Sequence, residues 1–392
     1  MIEGYHHPHF RDVAEALERQ LRRRRGGAAV CVYHQGEKVV DVWGGIRDDQ
    51  GRPWQGDTMS LSFSTTKGVV ATAVHVLVDR GLADYDHRVA RYWPAFGEAF
   101  GKEAITIRQL LCHEAGLHGI RGAIDHAERM LDWEYMREVM EELVPAYRPG
   151  SRNGYHALTF GWLVGELIQR IAGKPLDRVL QETLVEPLEL DGVHVGAPAW
   201  LRPRVATLIG SGIRPPEAAA PLGRLAMSLS RTFRLPLDPQ HILEALLPRG
   251  IFDLIFSPRV HEAPMPALNG VFTARSLARL YAALAGGGEL DGVRILSRET
   301  LERATQIQNR RLDLVVPLPM RWRLGYHMAG TTRGILPRAF GHFGYGGSGA
   351  WADPERNLSV ALVVNRVAGT PFGDLRLLSI GAAAVRCAEA RG

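Results

Sequence analysis

A serine and a lysine with the spacing of helix neighbours are the first candidates for chemistry. Two threonines separate Ser64 from Lys67, and the apolar run over residues 69–78 predicts a buried helix. Positions i and i+3 share one helix face, so the lysine amine can reach the serine hydroxyl. A serine hydroxyl becomes a good nucleophile when a neighbouring group accepts its proton, and a desolvated lysine is uncharged enough to do so.

The place of Ser64 at the start of this helix adds a second property. Free N–H groups at a helix N-terminus stabilise the oxyanion that forms when a hydroxyl attacks a carbonyl carbon. The simpler interpretation is an N-cap serine followed by a solvated lysine, because N-caps are common. Against it, the chain has only four lysines, so a serine and lysine pair at this spacing rarely arises by chance.

A tyrosine in a loop is the next candidate. Tyr155 follows a segment with turn-forming residues, 147–154, and precedes a helix predicted from Leu158. A phenol has a pKa of about 10, and a nearby ammonium group lowers that pKa. Tyr155 and Lys67 together can therefore carry the serine proton. On position alone, the alternative is an aromatic side chain that fills the core.

Glycines near the C-terminus predict a close approach of the backbone to a ligand. The run Gly341-His342-Phe343-Gly344-Tyr345-Gly346-Gly347 lacks side-chain bulk at four of its positions. We interpret it as part of an edge strand that supplies a backbone N–H as the second oxyanion donor. The alternative is a glycine-rich strand that packs against a helix.

Three other patterns resemble functional motifs less well. The segment around Ser348, Gly346-Gly347-Ser348-Gly349-Ala350, departs from the G-x-S-x-G pattern at its last residue and runs into a strand rather than a helix. His113 and His118 are five residues apart, which places them off the common helix face that a zinc pair needs. His6, His7 and His9 are interpreted as part of a flexible arm. No metal site and no cofactor are predicted.

The elements that position these residues follow from periodicity. A helix ending at the arginines 22–25 precedes two strands, 28–33 and 38–43, which are joined by a hairpin. Helices are predicted at 107–112, 127–143, 158–171, 176–184 and 277–284, and at the C-terminus over 375–390. The stretches 341–352 and 358–365 read as two adjacent strands joined by a turn. The fold class is therefore α/β (α+β), with strands from both termini in one sheet.

The same pattern predicts the domains. Residues 1–60 and 267–392 form a discontinuous α/β sheet domain, and residues 61–266 form an inserted all-helical domain. Within the latter, the stretch 202–266 is rich in Pro, Arg and Leu without a clear period, so it is a candidate substrate lid.

Composition excludes several classes of protein. The 392 residues are 46% hydrophobic and 23% charged, as in globular proteins, and no apolar run approaches the roughly 20 residues of a membrane span. The net charge of +5 is dispersed, so neither nucleic acid nor a membrane is an expected partner. The three cysteines are widely spaced and suggest neither disulfides nor a thiolate site. Without an apolar signal core near the N-terminus, the predicted location is cytoplasmic. The sequence carries no signal for an oligomeric state.

With these motifs in this order, the chain resembles the serine β-lactamase-like hydrolases, in particular the class C β-lactamases and the family VIII carboxylesterases. S-x-x-K is a motif of the β-lactamases and penicillin-binding proteins. The likeness covers most of the chain apart from 187–266. It rests on consecutive blocks at 61–67, 81–94, 105–117, 149–161, 270–278 and 340–354.

The resemblance implies an antiparallel sheet flanked by helices, a helical domain, and an active site between them. It implies that Ser64 is the acylated nucleophile, Lys67 its partner and Tyr155 the general base, with the N–H groups of Ser64 and Tyr345 as the oxyanion hole. The edge-strand residues His342, Phe343 and Gly344 would contact the substrate.

Two departures from the family pattern bear on the substrate. The family's Tyr-x-Asn is here Tyr155-His156-Ala157, and its Lys-Thr-Gly is His342-Phe343-Gly344, which removes an amide and a permanent cation. Both losses favour small-molecule esters without a carboxylate. We therefore expect a serine carboxylesterase; the alternatives are a β-lactamase, a D-amino-acid peptidase or amidase, an acyltransferase, and a non-enzymatic homologue.

Overall fold

The structure, a computed structural model, describes residues 2–23, 25–210, 238–367 and 375–392. Its strands are β1 (Ile2–His6), β2 (Gly27–His34), β3 (Glu37–Gly45), β4 (Ser60–Leu61), β5 (Val193–Val195), β6 (Ile209–Gly210), β7 (Gly270–Phe272), β8 (Glu289–Leu290), β9 (Val293–Arg294), β10 (His327–Thr331), β11 (Gly334–Phe343), β12 (Gly349–Asp353), β13 (Leu358–Val364) and β14 (Arg366–Val367).

The α-helices of the described residues are α1 (Arg11–Arg23), α2 (Thr65–Asp79), α3 (Pro94–Gly97), α4 (Ile107–Leu111), α5 (Trp133–Glu142), α6 (Phe160–Ala172), α7 (Leu176–Leu180), α8 (Pro239–Leu246), α9 (Ile251–Ile255), α10 (Ala274–Ala285), α11 (Arg298–Thr305) and α12 (Leu375–Arg391). Short 3₁₀ turns lie at Pro8–Phe10, Val89–Arg91, Ala127–Leu131, Ala199–Arg204 and Pro258–His261, and a π turn at Gln181–Val185 continues α7.

One antiparallel sheet of seven strands joins the two ends of the chain. Its order is β1-β3-β2-β13-β12-β11-β10, and β13 pairs with β2 so that Val360 lies opposite Val32. Alternate side chains of β2 enter different cores: Cys31 lies in the core that β2 shares with α10, and Val30 lies in the core that β2 shares with α1. Both faces of the sheet are therefore covered by helices, as the mixed α/β class requires.

Helix α2 is buried on all sides. Every residue from Thr65 to Val78 is shielded from solvent, because the helix packs against β11, α6 and α11. Gly68 permits this packing, since a Cβ there would lie 2.2 Å from Tyr281 Oη and 3.2 Å from His342 Cβ. The buried helix predicted from the apolar run is thus present, and it brings its N-terminus to β11.

Three expectations about strands were wrong. Residues 341–352 are not one strand: they comprise the end of β11, a turn and the start of β12. β11 is not an edge strand, because β10 pairs with its free side. The arm that carries His6 is also ordered, since β1 pairs with β3 and His6 lies opposite Val40. Backbone pairing accounts for β1, whose side chains are mostly exposed and show no alternation.

The segment between the two halves of the sheet is mainly helical. No strand of the seven-stranded sheet comes from residues 46–210 or 238–326, although β4, β5 and β7 form a separate small sheet. The helix predicted over 127–143 is broken at Asp132, whose side chain caps α5. Part of the candidate lid, 211–237, lies outside the described residues; the remainder holds α8, α9 and short turns. The proposed domain division stays a prediction.

None of the helices in the described ranges is long and apolar enough to cross a membrane.

Candidate active site

The turn before α2 holds Ser64 in a fixed conformation. Phe63 adopts φ of 50°, a left-handed conformation that is strained for a bulky residue. The Phe63 carbonyl accepts a hydrogen bond from Thr66 Oγ1, and Ser62 N donates to Gly270 O over 2.8 Å. These bonds and the strained turn place the Ser64 side chain at the N-terminus of a buried helix.

The structure brings Ser64, Lys67 and Tyr155 together. Ser64 Oγ lies 3.0 Å from Lys67 Nζ and accepts a hydrogen bond of 2.7 Å from Tyr155 Oη. Both distances are within ordinary hydrogen-bond range. The i, i+3 geometry expected from the sequence therefore occurs, and the loop tyrosine reaches the same hydroxyl.

Lys67 is fully buried and has no carboxylate partner among the described residues. Its Nζ donates to Ala157 O over 2.7 Å and to Ala267 O over 3.0 Å. Burial penalises the ammonium form and lowers the pKa of Lys67 well below its ordinary value. The lowered pKa favours the uncharged amine, which can accept a proton.

Tyr155 differs electrostatically from the sequence-based expectation. An ammonium group was expected to lower its pKa, but burial raises the pKa of the phenol and the Asp313 carboxylate raises it further, against the opposing effect of the hydrogen bond to Ser64. Desolvation dominates because the same burial disfavours the phenolate and the charged form of Lys67. The phenol is therefore a proton donor in the resting site.

Two backbone N–H groups beside Ser64 are free to bind an oxyanion. Ser64 N and Tyr345 N donate no hydrogen bond to any atom of the described residues. The turn that carries Tyr345 is held by the bond from Gly344 N to Ser348 O, 2.7 Å, and the Tyr345 ring packs edge-on against Phe63 at 5.5 Å. Gly344 is required for this contact, since a Cβ there would lie 2.2 Å from Ser62 O.

His342 lies beside the catalytic candidates, whereas the Phe343 side chain does not. The His342 ring is stacked 6.1 Å from the Tyr155 ring, and its Nδ1 donates to Phe343 O over 3.2 Å. Its Nε2 is buried without a hydrogen-bond partner, and burial lowers the pKa of the imidazole well below its usual value. Phe343 packs against the core on the other face of the sheet, so its predicted contact with the substrate is not supported by its position.

Ser348 and the two histidines of the possible zinc motif form hydrogen bonds with residues other than Ser64, Lys67 and Tyr155. Ser348 Oγ accepts a bond from Val364 N over 3.1 Å, which ties the turn to β13. His113 pairs with His156 through their Nδ1 atoms at 3.2 Å, and His118 pairs with His241 at 2.9 Å. Across the residues that the structure describes, no group of three or more His, Cys, Asp or Glu could hold a metal ion.

Sequence reasoning missed Asp313, Trp322 and His113 as parts of this site. Trp322 stacks on the Tyr155 ring at 5.4 Å with an interplanar angle of 14°, and the His113 ring meets it edge-on at 4.9 Å. Asp313 accepts hydrogen bonds from Tyr155 N and from Trp322 Nε1. A lone acidic residue in an aperiodic loop gives no local signal, so only the tertiary structure identifies it.

Comparison with known proteins agrees with this arrangement. The family model described as Beta-lactamase matches residues 13–384. The chain is 42% identical over 375 residues to the esterase/beta-lactamase LipL of Mycobacterium tuberculosis, covering 93% of this chain and 83% of that protein. It is also 32% identical over 191 residues to esterase EstB of Burkholderia gladioli, covering 44% of this chain and 48% of EstB.

Two solved structures are similar over almost the whole chain. A family VIII carboxylesterase has a TM-score of 0.85 and 33% identity, and the match covers 99% of this chain and 100% of the other. A penicillin-binding protein homologue from Caulobacter crescentus has a TM-score of 0.82 and 33% identity, with coverages of 98% and 100%.

Proposed function

The chain belongs to the Beta-lactamase family and is a serine ester hydrolase, and from that premise we propose that Ser64 is the nucleophile that attacks the ester carbonyl. The observation that carries the proposal is the hydroxyl of Ser64, which lies within hydrogen-bond distance of both an amine and a phenol. A nucleophile and a base in contact are what covalent acyl transfer needs.

The hydrogen bonds of Lys67 support a role as the base. An uncharged amine has two N–H groups and one lone pair, and its N–H groups are used by Ala157 O and Ala267 O. The lone pair then remains for the Ser64 hydroxyl at 3.0 Å. As Ser64 Oγ bonds to the carbonyl carbon, its proton passes to Lys67 Nζ, and the ester C=O becomes an oxyanion beside Ser64 N and Tyr345 N.

Tyr155 is the proton donor to the leaving alcohol in this proposal. When the tetrahedral intermediate collapses, the bond between carbon and the alkoxy oxygen breaks, and the Tyr155 O–H proton goes to that oxygen. The proton held by Lys67 then restores the phenol. Water repeats the sequence on the acyl-enzyme and releases the carboxylic acid. The family resemblance implied Tyr155 as the base; the raised pKa of its phenol favours the acid role instead.

We propose small esters without a carboxylate as the substrates. Where the family pattern has a lysine, this chain has His342, which burial keeps uncharged. The residue two positions after Tyr155 is Ala157, whose side chain cannot bind an amide. An ester also has a better leaving group than an amide, so fewer donors suffice. Slow β-lactam hydrolysis is a second candidate, because LipL, which is 42% identical, is named an esterase/beta-lactamase.

Trapping the acyl-enzyme tests the proposal. After brief reaction with a p-nitrophenyl ester and an acid quench, we expect intact-mass spectrometry to show one added acyl group, located by peptide mapping on Ser64. The Ser64→Ala variant serves as the control and should carry no adduct. Hydrolysis without any adduct in either protein, or an adduct on another residue, would contradict the proposed nucleophile.

His342→Lys is expected to change substrate preference. A cation at this position would attract the carboxylate of a β-lactam bound beside Ser64, and an ion pair typically contributes about 1 kcal/mol. The ratio of kcat/KM for a cephalosporin to that for p-nitrophenyl butyrate should rise about fivefold, and less at high salt. His87→Lys makes the same substitution near Tyr92, to which the His87 ring bonds, and should leave the ratio unchanged. An unaltered ratio in His342→Lys would refute a specificity role for this position.

A further inference from the structure

Asp313 is a buried carboxylate whose partners are all neutral donors. Its Oδ1 accepts from the backbone N–H groups of Tyr155, Val315 and Val316 over 3.0, 2.8 and 2.9 Å. Its Oδ2 accepts from Asn153 Nδ2 over 3.0 Å and from Trp322 Nε1 over 2.9 Å. Within the described part of the chain it forms no ion pair. A buried charge without a counterion is costly unless hydrogen bonds compensate it, and here five donors supply that compensation.

These bonds hold Tyr155 at two points. One oxygen of Asp313 fixes the backbone of Tyr155, and the other fixes the indole of Trp322, which stacks on the phenol ring 5.4 Å away. The ring can then neither shift along the loop nor tilt away from Ser64, to which it donates over 2.7 Å. The Asp313 side chain thus holds both the backbone of Tyr155 and the indole that stacks on its ring.

We propose that Asp313 is a positioning residue for ester hydrolysis, which aims the Tyr155 O–H at Ser64 Oγ and places a carboxylate beside that phenol. This inference rests on the proposed role of Tyr155 as proton donor. It assigns a function to a carboxylate that lies 158 residues from Tyr155 in the sequence and does not touch the nucleophile.

The charges around Tyr155 support the electrostatic half of the proposal. Lys67 Nζ lies 4.9 Å from the centre of the phenol ring, and the rings of His113 and His342 lie 4.9 and 6.1 Å from it. Burial lowers the pKa of all three groups, which favours their uncharged forms. Burial is the main cause of the raised pKa of Tyr155 and of Tyr147, and the charge of Asp313 raises both pKa values further. Removing this charge should therefore let Tyr155 ionise at lower pH.

Asp313→Asn is the first test. The amide has the size of the carboxylate but lacks its charge, and its NH₂ group cannot accept the bonds that one oxygen accepts now. Misplacement of a reacting group by about 1 Å costs about 100-fold in rate. We expect kcat for p-nitrophenyl butyrate to fall about 100-fold with KM within about twofold of the wild type. The alkaline limb of the kcat profile should move to lower pH.

A second buried aspartate provides the matched control. Asp353, at the end of β12, accepts from Arg356 Nη1 over 2.8 Å and from Glu355 N over 3.1 Å, so it too bonds a side chain and a backbone N–H. Asp353→Asn should lower the thermal unfolding midpoint but leave kcat and the alkaline limb unchanged. A wild-type kcat in Asp313→Asn, or a lower kcat with an unshifted alkaline limb, would overturn the proposal.

Trp322→Phe keeps the test decisive if Asp313→Asn does not fold. Phenylalanine retains an aromatic ring beside Tyr155, but it is smaller than the indole and lacks the N–H that bonds to Asp313. We expect kcat to fall by about tenfold, with KM nearly unchanged. Wild-type kcat in this variant would refute the proposal that Asp313 positions Tyr155 through Trp322. Measuring the acylation of Ser64 by intact-mass spectrometry in each variant separates the proposal for Ser64 from the proposal for Asp313. An adduct that forms slowly on Ser64 supports Ser64 as the nucleophile, whatever the kcat of Asp313→Asn shows.

Discussion

Ser64→Ala is expected to lower kcat/KM for p-nitrophenyl esters by about 10⁴-fold or more while the protein remains folded. The hydroxyl is the one atom that contacts both Lys67 Nζ and Tyr155 Oη, so its removal leaves the acid and the base without a reacting partner. A nucleophile and its base act as a unit, and loss of either removes most of the rate enhancement. Steady-state kinetics and a thermal unfolding curve of the same preparation would measure both effects.

Ser348→Ala is the control that separates this site from an α/β-hydrolase arrangement. The Ser348 hydroxyl accepts a hydrogen bond from Val364 N on β13 and forms none with a histidine, lysine or tyrosine side chain among the described residues. Its loss leaves one buried N–H unpaired, at a cost to stability of about 1 to 3 kcal/mol, without affecting the reaction. An inactive Ser348→Ala together with an active Ser64→Ala would reverse the assignment of the nucleophile.

The local parts of this site follow from sequence, whereas its assembly does not. The spacing of Ser64 and Lys67 predicts their contact because helix geometry alone brings i and i+3 together. The bond between Tyr155 and Ser64 spans 91 residues, and no period or propensity carries such information. Position alone made Tyr155 one candidate beside an aromatic that fills the core, and the resemblance to a known family selected it. Asp313 belongs to none of the motifs on which the resemblance rests. Only its hydrogen bonds in the structure identify it as part of the site.

The strands show the same limit. Alternation and β-branched residues predict β2, β3 and β13 well, because those strands are buried and their residues fit a pleated surface. The turn around Tyr345 was not predicted, because glycine is compatible with both a strand and a positive φ. Gly346 and Gly347 adopt φ of 90° and 109°. Which strand lies at an edge of the sheet depends on pairing between distant segments. The sequence of β10 has no alternation that predicts a strand there.

Replacement of Lys67 is the second change with a large expected effect. Lys67→Met retains the apolar stem and removes the amine, and we expect kcat/KM to fall by about 10³-fold to 10⁴-fold, the contribution of a general base. Lys67→Arg should be almost as damaging, because a guanidinium group stays protonated and cannot take the Ser64 proton. An arginine variant with near-wild-type turnover would remove Lys67 from any proton transfer.

Lys102 makes this test specific, because it is a second buried lysine that donates to two main-chain carbonyls, Met140 O and Glu141 O, at the end of α5. Lys102→Met should destabilise the fold and leave kcat/KM unchanged, so a loss of activity confined to Lys67 variants reflects chemistry rather than packing.

The pH dependence of kcat/KM tests the same role of Lys67. Burial lowers the pKa of Lys67, and the ammonium form is inactive, so kcat/KM should fall as pH drops through that pKa and stay high on the alkaline side until Tyr155 ionises at its raised pKa. Because both groups contact the same hydroxyl, the two limbs report the coupled site. An acid limb that persists unchanged in a residually active Lys67→Met variant would show that another group, not this amine, accepts the proton.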